Sequence, residues 1–357
     1  MGEPIVTIAG REIGAGRPPY VVAEMSGNHN GDIGRALALI DAAAEAGADA
    51  VKLQTYTADT ITLDHDGPGF VLEGGLWSGR RLYELYDEAH TPWDWHAPLF
   101  ARAREKGIHI FSSPFDPTAV DLLTALDAPA FKIASFELID IPLIERCART
   151  GKPLIMSTGL ASPQDIAEAV GAAQGAGAGG VILLHCTSGY PAPASDMNLK
   201  TLQHLAQQYP GVVVGLSDHT MGVTVSVAAV ALGACFIEKH FTLKRADGGV
   251  DSEFSLEPDE LARLVTESRI AWEALGAVRY DEVPSEAASR DSRRSLYVVA
   301  DVAAGEPLTE ANVRSIRPGF GMAPKHLPQV LGRKAVRALK RGEPLDWAMV
   351  EGAKSEA

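Results

Sequence analysis

Between Pro19 and about Gly276, short β-branched, apolar runs alternate with longer Ala- and Leu-rich stretches of helical length. Eight runs read as strands: YVVAE (20–24), AVKLQ (50–54), IHIFSS (108–113), AFKIAS (130–135), PLIMST (153–158), VILLHCT (181–187), VVVGLS (212–217) and CFIEKHF (235–241). Between them lie helical stretches such as GRALALIDAAAEAG, PLIERCARTG, SPQDIAEAVGAAQ and MGVTVSVAAVALG, many closing on a glycine. Eight such repeats predict an α/β fold closed into a (β/α)8 TIM barrel. An open doubly wound sheet is the competitor, but it usually has fewer strands and often a glycine-rich phosphate turn after the first. Here the first strand runs into EMSGNHNGD, with no GxGxxG.

Two segments depart from the repeat. Thr57 to Asp94 is too long for an ordinary βα loop and follows the second strand, on the face where barrels build their active sites, so it is expected to cover or edge the pocket. After the last barrel helix, DEVPSEAASRDS is polar and without apolar period, which reads as a linker. The expected organisation is a catalytic barrel over 1–280, a linker over 281–292 and a small domain over 293–357. That small domain has strand-like runs broken by Gly and Pro and two phrases, DVAAGEPLT and ALKRGEPLD, that echo one another. It holds only a small core and is expected to dock on a barrel, its own or a partner's.

Composition narrows the function classes. The chain has 357 residues, 46% hydrophobic and 22% charged, which suits packed cores. A formal net charge of -14 argues against nucleic acid or an anionic membrane as partner. Three widely spaced cysteines, Cys147, Cys186 and Cys235, form no CxxC pair and fit a reducing cytoplasm. The opening MGEPIVTIAGREI lacks a secretion signal, Val6 stands where a myristoylation motif wants Ser or Thr, and no stretch is long and apolar enough to cross a membrane. A cytoplasmic protein is expected.

In a parallel barrel the carboxyl ends of the strands converge on one mouth. Polar residues stand at nearly every such end: Glu24, Lys52, Gln54, Ser112, Ser113, Lys132, Ser135, Ser157, Thr158, Thr187, Ser188, Ser217, Asp218, His219, Glu238 and His240. Buried charges cost several kcal/mol each unless paired or bound, so a charged ligand plus a metal is the economical explanation. His219 and His240 end adjacent strands, about 4.8 Å apart, and two histidines with a nearby carboxylate suit a divalent ion such as Mn2+ or Fe2+. The alternative is that both imidazoles cap strand ends against carboxylates. Lys52, Lys132 and the serines suit a phosphate plus a carboxylate, as in phosphoenolpyruvate; the alternative is lysines packed by their stems and paired with acids such as Glu24. Lys132 also sustains a Schiff-base aldolase reading, in which the two histidines have no role. Cys186 reads as a small buried core residue rather than a nucleophile, and the aromatics of TPWDWH as packing at a helix start as much as sugar stacking.

AEMSGNHNGD, ADAVKLQTYTADT, HTPWDWH, FSSPFD, FKIASFE, MSTG, CTSGYPA, GLSDHT, EKHFTL and the C-terminal RPGFG together resemble the sialic acid synthase family over nearly the whole chain. AEMSGNHN and KLQTYTADT are most similar to its pseudaminic acid branch; the neuraminate-type branch tends to carry Gly at the place of Ser26. The resemblance implies a barrel with an antifreeze-protein-like (SAF) C-terminal domain, exchanged across a homodimer to cap the partner's site. It implies metal ligands His219 and His240, with Mn2+ the expected ion and Mg2+ or Co2+ as alternatives. Phosphoenolpyruvate would be bound by Lys52, Ser113, Lys132, Ser135, Ser157 and Ser217, with Ser188 where many relatives have Asn. Glu24 and Glu238 would be the acidic groups near the metal and the reacting carbons; Gln54, Tyr190, Asp251 and Arg317 would contact an amino-sugar aldehyde. The reaction implied gives pseudaminic acid and phosphate; N-acetylneuraminate or legionaminate from a different amino sugar is the alternative. A sugar-binding regulator that has lost its chemistry is the non-enzymatic rival, against which the intact strand-end acids, lysines and histidines speak.

Overall fold

The computed structural model describes residues 3–352, which divide after Gly276 into two compact units. The first unit opens with an antiparallel hairpin of β1 (Ile5–Ile8) and β2 (Arg11–Gly14). Eight parallel strands follow and close into a barrel: β3 (Tyr20–Glu24), β4 (Ala50–Thr55), β5 (His109–Pro114), β6 (Phe131–Ile133), β7 (Leu154–Ser157), β8 (Val181–Cys186), β9 (Val213–Asp218) and β10 (Phe236–His240), with β10 paired to β3. The predicted strand set is therefore the observed one to within a residue or two. The opening hairpin was not identified, because strands of four residues are too short to display a period.

Strand parity divides the core in two. Val21 and Ala23, Val51 and Leu53, Leu154 and Met156 face outward into a large cluster shared with the helices. Their neighbours Val22, Ala50, Ile155 and Phe236 face inward and fill the lower barrel together with Val6, Ile8 and Ile13, so the hairpin packs as a plug under the strand starts. Helices return behind the strands from capped starts. Asp32 accepts from Gly34 N–H, Asp116 from Thr118 N–H with Pro117 next to it, and Ser162 and Asp165 form a reciprocal box.

The long insert after β4 carries helices Ala58–Ile61 and Leu82–Ala89. It packs at the mouth: a Cβ on Gly27 would lie 3.1 Å from that of Ala89, so glycine permits the close approach. The Trp77 indole donates to the Val250 carbonyl at 2.8 Å. Trp93–Trp95 form a 3₁₀ turn leading into helix His96–Lys106, with Trp95 packed on the core and against His29, which is the packing role considered for TPWDWH.

The second unit pairs β11 (Ser295–Val298) with β12 (Val313–Ile316) around a small core that includes Leu296, Leu308, Val330 and Leu345. The echoing phrases meet: Val302 and Leu339, equivalent positions in the two, exchange both backbone hydrogen bonds. In each phrase the glutamate closes its own turn, Glu306 on Ala303 N–H at 2.7 Å and Glu343 on Lys340 N–H at 2.6 Å. Pro284–Ser292, within the stretch expected to be a plain linker, forms a 3₁₀ segment.

Candidate active site

Inward parity carries chemistry as soon as the strands rise above the apolar fill. Glu24, Lys52, Gln54, Ser113, Lys132, Ser157, Ser217, Glu238 and His240 all continue the inward rows of their strands, two residues apart where a strand supplies two. Register then sets the neighbours: His240 lies beside Glu24, Glu24 beside Lys52, and Glu238 beside Ser217.

The centre is a buried charge network. Lys52 Nζ lies 3.1 Å from Glu238 Oε1 and 3.2 Å from Glu24 Oε2, and donates to Ser113 Oγ at 3.4 Å. Lys132 Nζ donates to Ser157 Oγ at 2.7 Å and stands 3.5 Å from Glu238 Oε1, which also receives the Ser217 hydroxyl at 3.3 Å. One carboxylate thus faces two ammonium groups. Burial acts to raise the Glu238 carboxyl, but Lys132 and Lys52 outweigh it and hold it at about 2. Burial pushes Glu24 up to about 7, because Lys52 offsets it only in part and Glu238 adds repulsion. Burial lowers the Lys132 ammonium, while for Lys52 the two carboxylates overcome burial and raise it.

Around this centre sit the remaining predicted residues of the barrel. Gln54 donates through Nε2 to Glu24 Oε1 at 2.8 Å and Ser26 Oγ at 3.1 Å, and Ser26 donates to Asp251 in a short contact. The ring of Tyr190 lies 4.4 Å from that of His219. Ser135 Oγ accepts from Gly159 N–H at 3.2 Å, and a Cβ on Gly159 would lie 2.3 Å from Ser188 Oγ, so these two serines flank a place that admits no side chain. Arg317 belongs to the second unit, exposed just after β12.

The two imidazoles have centroids 5.3 Å apart. His219 Nδ1 lies 3.1 Å from the Thr187 carbonyl, which leaves its other ring nitrogen to the mouth. Nδ1 of His240 is buried without a hydrogen-bond partner among the described residues, 3.6 Å from Asp251 Oδ2, and burial holds this imidazole neutral, well below its ordinary range. Glu238 Oε2 is likewise buried and unpartnered among the described residues. Among those residues no three His, Cys, Asp or Glu side chains gather tightly enough to enclose an ion. Two imidazoles with open positions fit the donor set of a catalytic divalent ion rather than a closed structural one.

Some strand-end residues do not join the mouth. Asp218 faces outward, 3.0 Å from Lys239 and bonded to Ser226 at 2.5 Å; Ser112 bonds Thr55 at 2.6 Å, and Thr158 bonds the Leu184 carbonyl at 3.2 Å. These are supports, distinguishable in sequence because each lies one residue off the inward row of its strand. Two others were not taken as site residues, Cys186 having been read as core. Cys186 faces the mouth with Sγ 3.8 Å from His219 Nδ1, its thiol brought down to about 7 against the effect of burial by that histidine. Glu137 keeps a buried Oε2 without a partner among the described residues and is pushed up to about 7 by burial, with Lys132 the largest cationic influence against it. A cleft of about 480 Å3 lies at the opposite end of the barrel, between Gly16, Cys235 and Trp272, with Arg17 and Glu273 the charged residues of its lining.

Residues 39–280 match the model of the NeuB family, and residues 293–351 match the SAF domain. The chain belongs to the NeuB family. This NeuB-family chain is 43% identical over 326 residues to a pseudaminic acid synthase of Campylobacter jejuni, covering 91% of this chain and 95% of that protein. It is 42% identical over 336 residues to a pseudaminic acid synthase of Helicobacter pylori, covering 94% and 98%. The crystal structure of an N-acetylneuraminic acid synthetase from Leptospira borgpetersenii, in complex with citrate, superposes on 80% of this chain and 95% of that one, with a TM-score of 0.72 and 34% identity.

Proposed function

We propose that this NeuB-family barrel condenses phosphoenolpyruvate with 2,4-diacetamido-2,4,6-trideoxy-L-altrose and water, giving pseudaminic acid and phosphate. The observation that carries the reading is the mouth itself, in which two ammonium groups meet one buried carboxylate, serine hydroxyls bond the ammonium groups and the carboxylate, and two imidazoles stand side by side at the ends of β9 and β10. The similarity to pseudaminic acid synthases over more than nine-tenths of the chain selects the sugar.

Lys52 and Lys132, with Ser113, Ser135, Ser157, Ser188 and Ser217, bind the phosphate and carboxylate of phosphoenolpyruvate. Glu238 stays ionised and keeps both lysines extended toward the ligand. Gln54, Tyr190 and Asp251 hold the open-chain sugar so that its aldehyde carbon faces C3 of phosphoenolpyruvate. His219 and His240 would hold the divalent cation, Mn2+ first and Mg2+ or Co2+ as alternatives, and this cation supplies Lewis-acid polarisation of the aldehyde oxygen. A C–C bond then forms from C3, the cationic C2 takes water, and C–O cleavage expels phosphate. Glu24, poised near neutrality, moves the proton between water and the new hydroxyl. The SAF-domain unit supplies Arg317 to the sugar, from the partner subunit of a homodimer with exchanged C-terminal domains. A cytoplasmic setting is consistent with three free cysteines, and among the described residues no helix is long and apolar enough to cross a membrane.

The test measures phosphate release and product mass with phosphoenolpyruvate and, in parallel, N-acetylmannosamine, 2,4-diacetamido-2,4,6-trideoxymannose and the altrose isomer. Turnover confined to the altrose isomer supports the assignment, and preference for another sugar moves the branch while keeping the chemistry. A covalent adduct on borohydride treatment with pyruvate would instead establish the aldolase reading of Lys132.

A further inference from the structure

The turn that leaves β3 holds a residue that no role above accounts for. Ser26 has φ +47°, in the left-handed region where glycine is at ease and a side chain is not. It is 3% exposed, so solvent does not explain the hydroxyl. A strained, buried polar residue persists where its side chain does something a glycine cannot.

What it does follows from counting hydrogens. The hydroxyl has one proton, and that proton goes to Asp251 Oδ2. Toward Gln54 it can therefore only accept, which it does from Nε2 at 3.1 Å. Glu24 Oε1 takes the other Nε2 hydrogen at 2.8 Å, so both amide donors of Gln54 are consumed. Gln54 is left with its carbonyl oxygen. Asp251, anchored at one oxygen by Ser26, is likewise left with acceptor capacity, and its backbone is fixed by the Ser255 hydroxyl on its carbonyl at 2.6 Å. One serine thus converts an amide and a carboxylate from two sides of the mouth into a paired set of acceptors.

We propose that Ser26 is the positioning residue for sugar recognition, orienting Gln54 and Asp251 so that both present acceptor oxygens to N–H and O–H donors of an amino sugar. The inference rests on the reading that Gln54 and Asp251 contact the sugar. Such a site favours an acceptor substrate with an additional acylamino N–H over one with a hydroxyl of different reach, because an unmatched buried acceptor penalises the wrong sugar more than a matched one rewards the right sugar.

The experiment uses the full chain with Ser26→Gly and Ser26→Ala, varying each substrate against saturating amounts of the other. Glycine removes the hydroxyl and relieves the backbone; alanine removes the hydroxyl and keeps the strain. Both variants are expected to raise the sugar KM by about tenfold, the scale of one lost buried hydrogen-bond arrangement, with the phosphoenolpyruvate KM within about twofold. Discrimination between the diacetamido sugar and N-acetylmannosamine should fall in parallel, and Ser26→Gly should melt no lower than the parent. An unchanged sugar KM in both variants overturns the proposal, as does an equal rise in both KM values with a lower melting temperature, which would mark a structural role. Gln54→Ala and Asp251→Asn separate the layers. If they raise the sugar KM while the Ser26 variants do not, the positioning role alone fails; if they too leave it unchanged, the reading of the sugar site falls with it.

Discussion

The lower and upper halves of the barrel interior are built by the same eight strands on the same inward parity, yet they are chemically opposite. Below, Tyr20, Val22, Ile155 and Phe236 fill the space against the hairpin, and burial of this kind contributes about 25 cal/mol per Å2 of apolar surface to folding. Two residues further along each strand, Glu24, Lys52, Lys132 and Glu238 sit equally buried and contribute little net, since pairing roughly offsets the desolvation of each charge. Stability and chemistry are therefore separated along one axis by a step of two residues. That separation is what lets the mouth hold charges and unpartnered atoms without endangering the fold.

Substitutions should report on one half at a time. His219→Ala or His240→Ala is expected to lower turnover at least about 10³-fold in the phosphate-release assay while leaving the melting temperature nearly unchanged; normal turnover in either would remove the ligand assignment. Phe236→Ala, at the bottom of β10 and stacked on Tyr20 at 5.3 Å, should do the reverse, costing about 3–5 kcal/mol in denaturant unfolding with both KM values preserved. A smaller effect tests Glu24. Its folded-state carboxyl is raised from 4.5 to about 7, so its contribution to stability is fully present below pH 4.5 and is lost as pH rises through about 7. Glu24→Gln should flatten that part of the stability–pH curve, and an unaltered curve would show the carboxyl titrating normally. Smallest of all, Arg317→Ala should raise the sugar KM about fivefold, the equivalent of ~1 kcal/mol, without moving the phosphoenolpyruvate KM. Equal changes in both would remove Arg317 from the sugar.

The barrel was legible because strands covered on both faces read as nearly continuous apolar runs, and their polar ends stand out against that background. The same continuity hid direction. Asp218 and His219 are adjacent in sequence, but parity sends Asp218 outward to Lys239 and its neighbour to the mouth. Glu137 and Cys186 were passed over because one follows a strand by a turn and the other resembles core. Ser26 was legible as a family difference, but its two hydrogen bonds reach residues in β4 and beyond β10, which no local pattern reveals.

The seam of the barrel joins Tyr20 to Phe236, and β2 lies among interior residues contributed by strands far along the chain. During synthesis the first strand and its hairpin must wait, with apolar faces and an unpaired edge, until the last strand has left the ribosome. Closure is consequently a late event of long sequence separation, and the turn holding Ser26 acquires its partner Asp251 only after that closure. A nascent chain halted before Phe236 would be a client for chaperones rather than a slow enzyme.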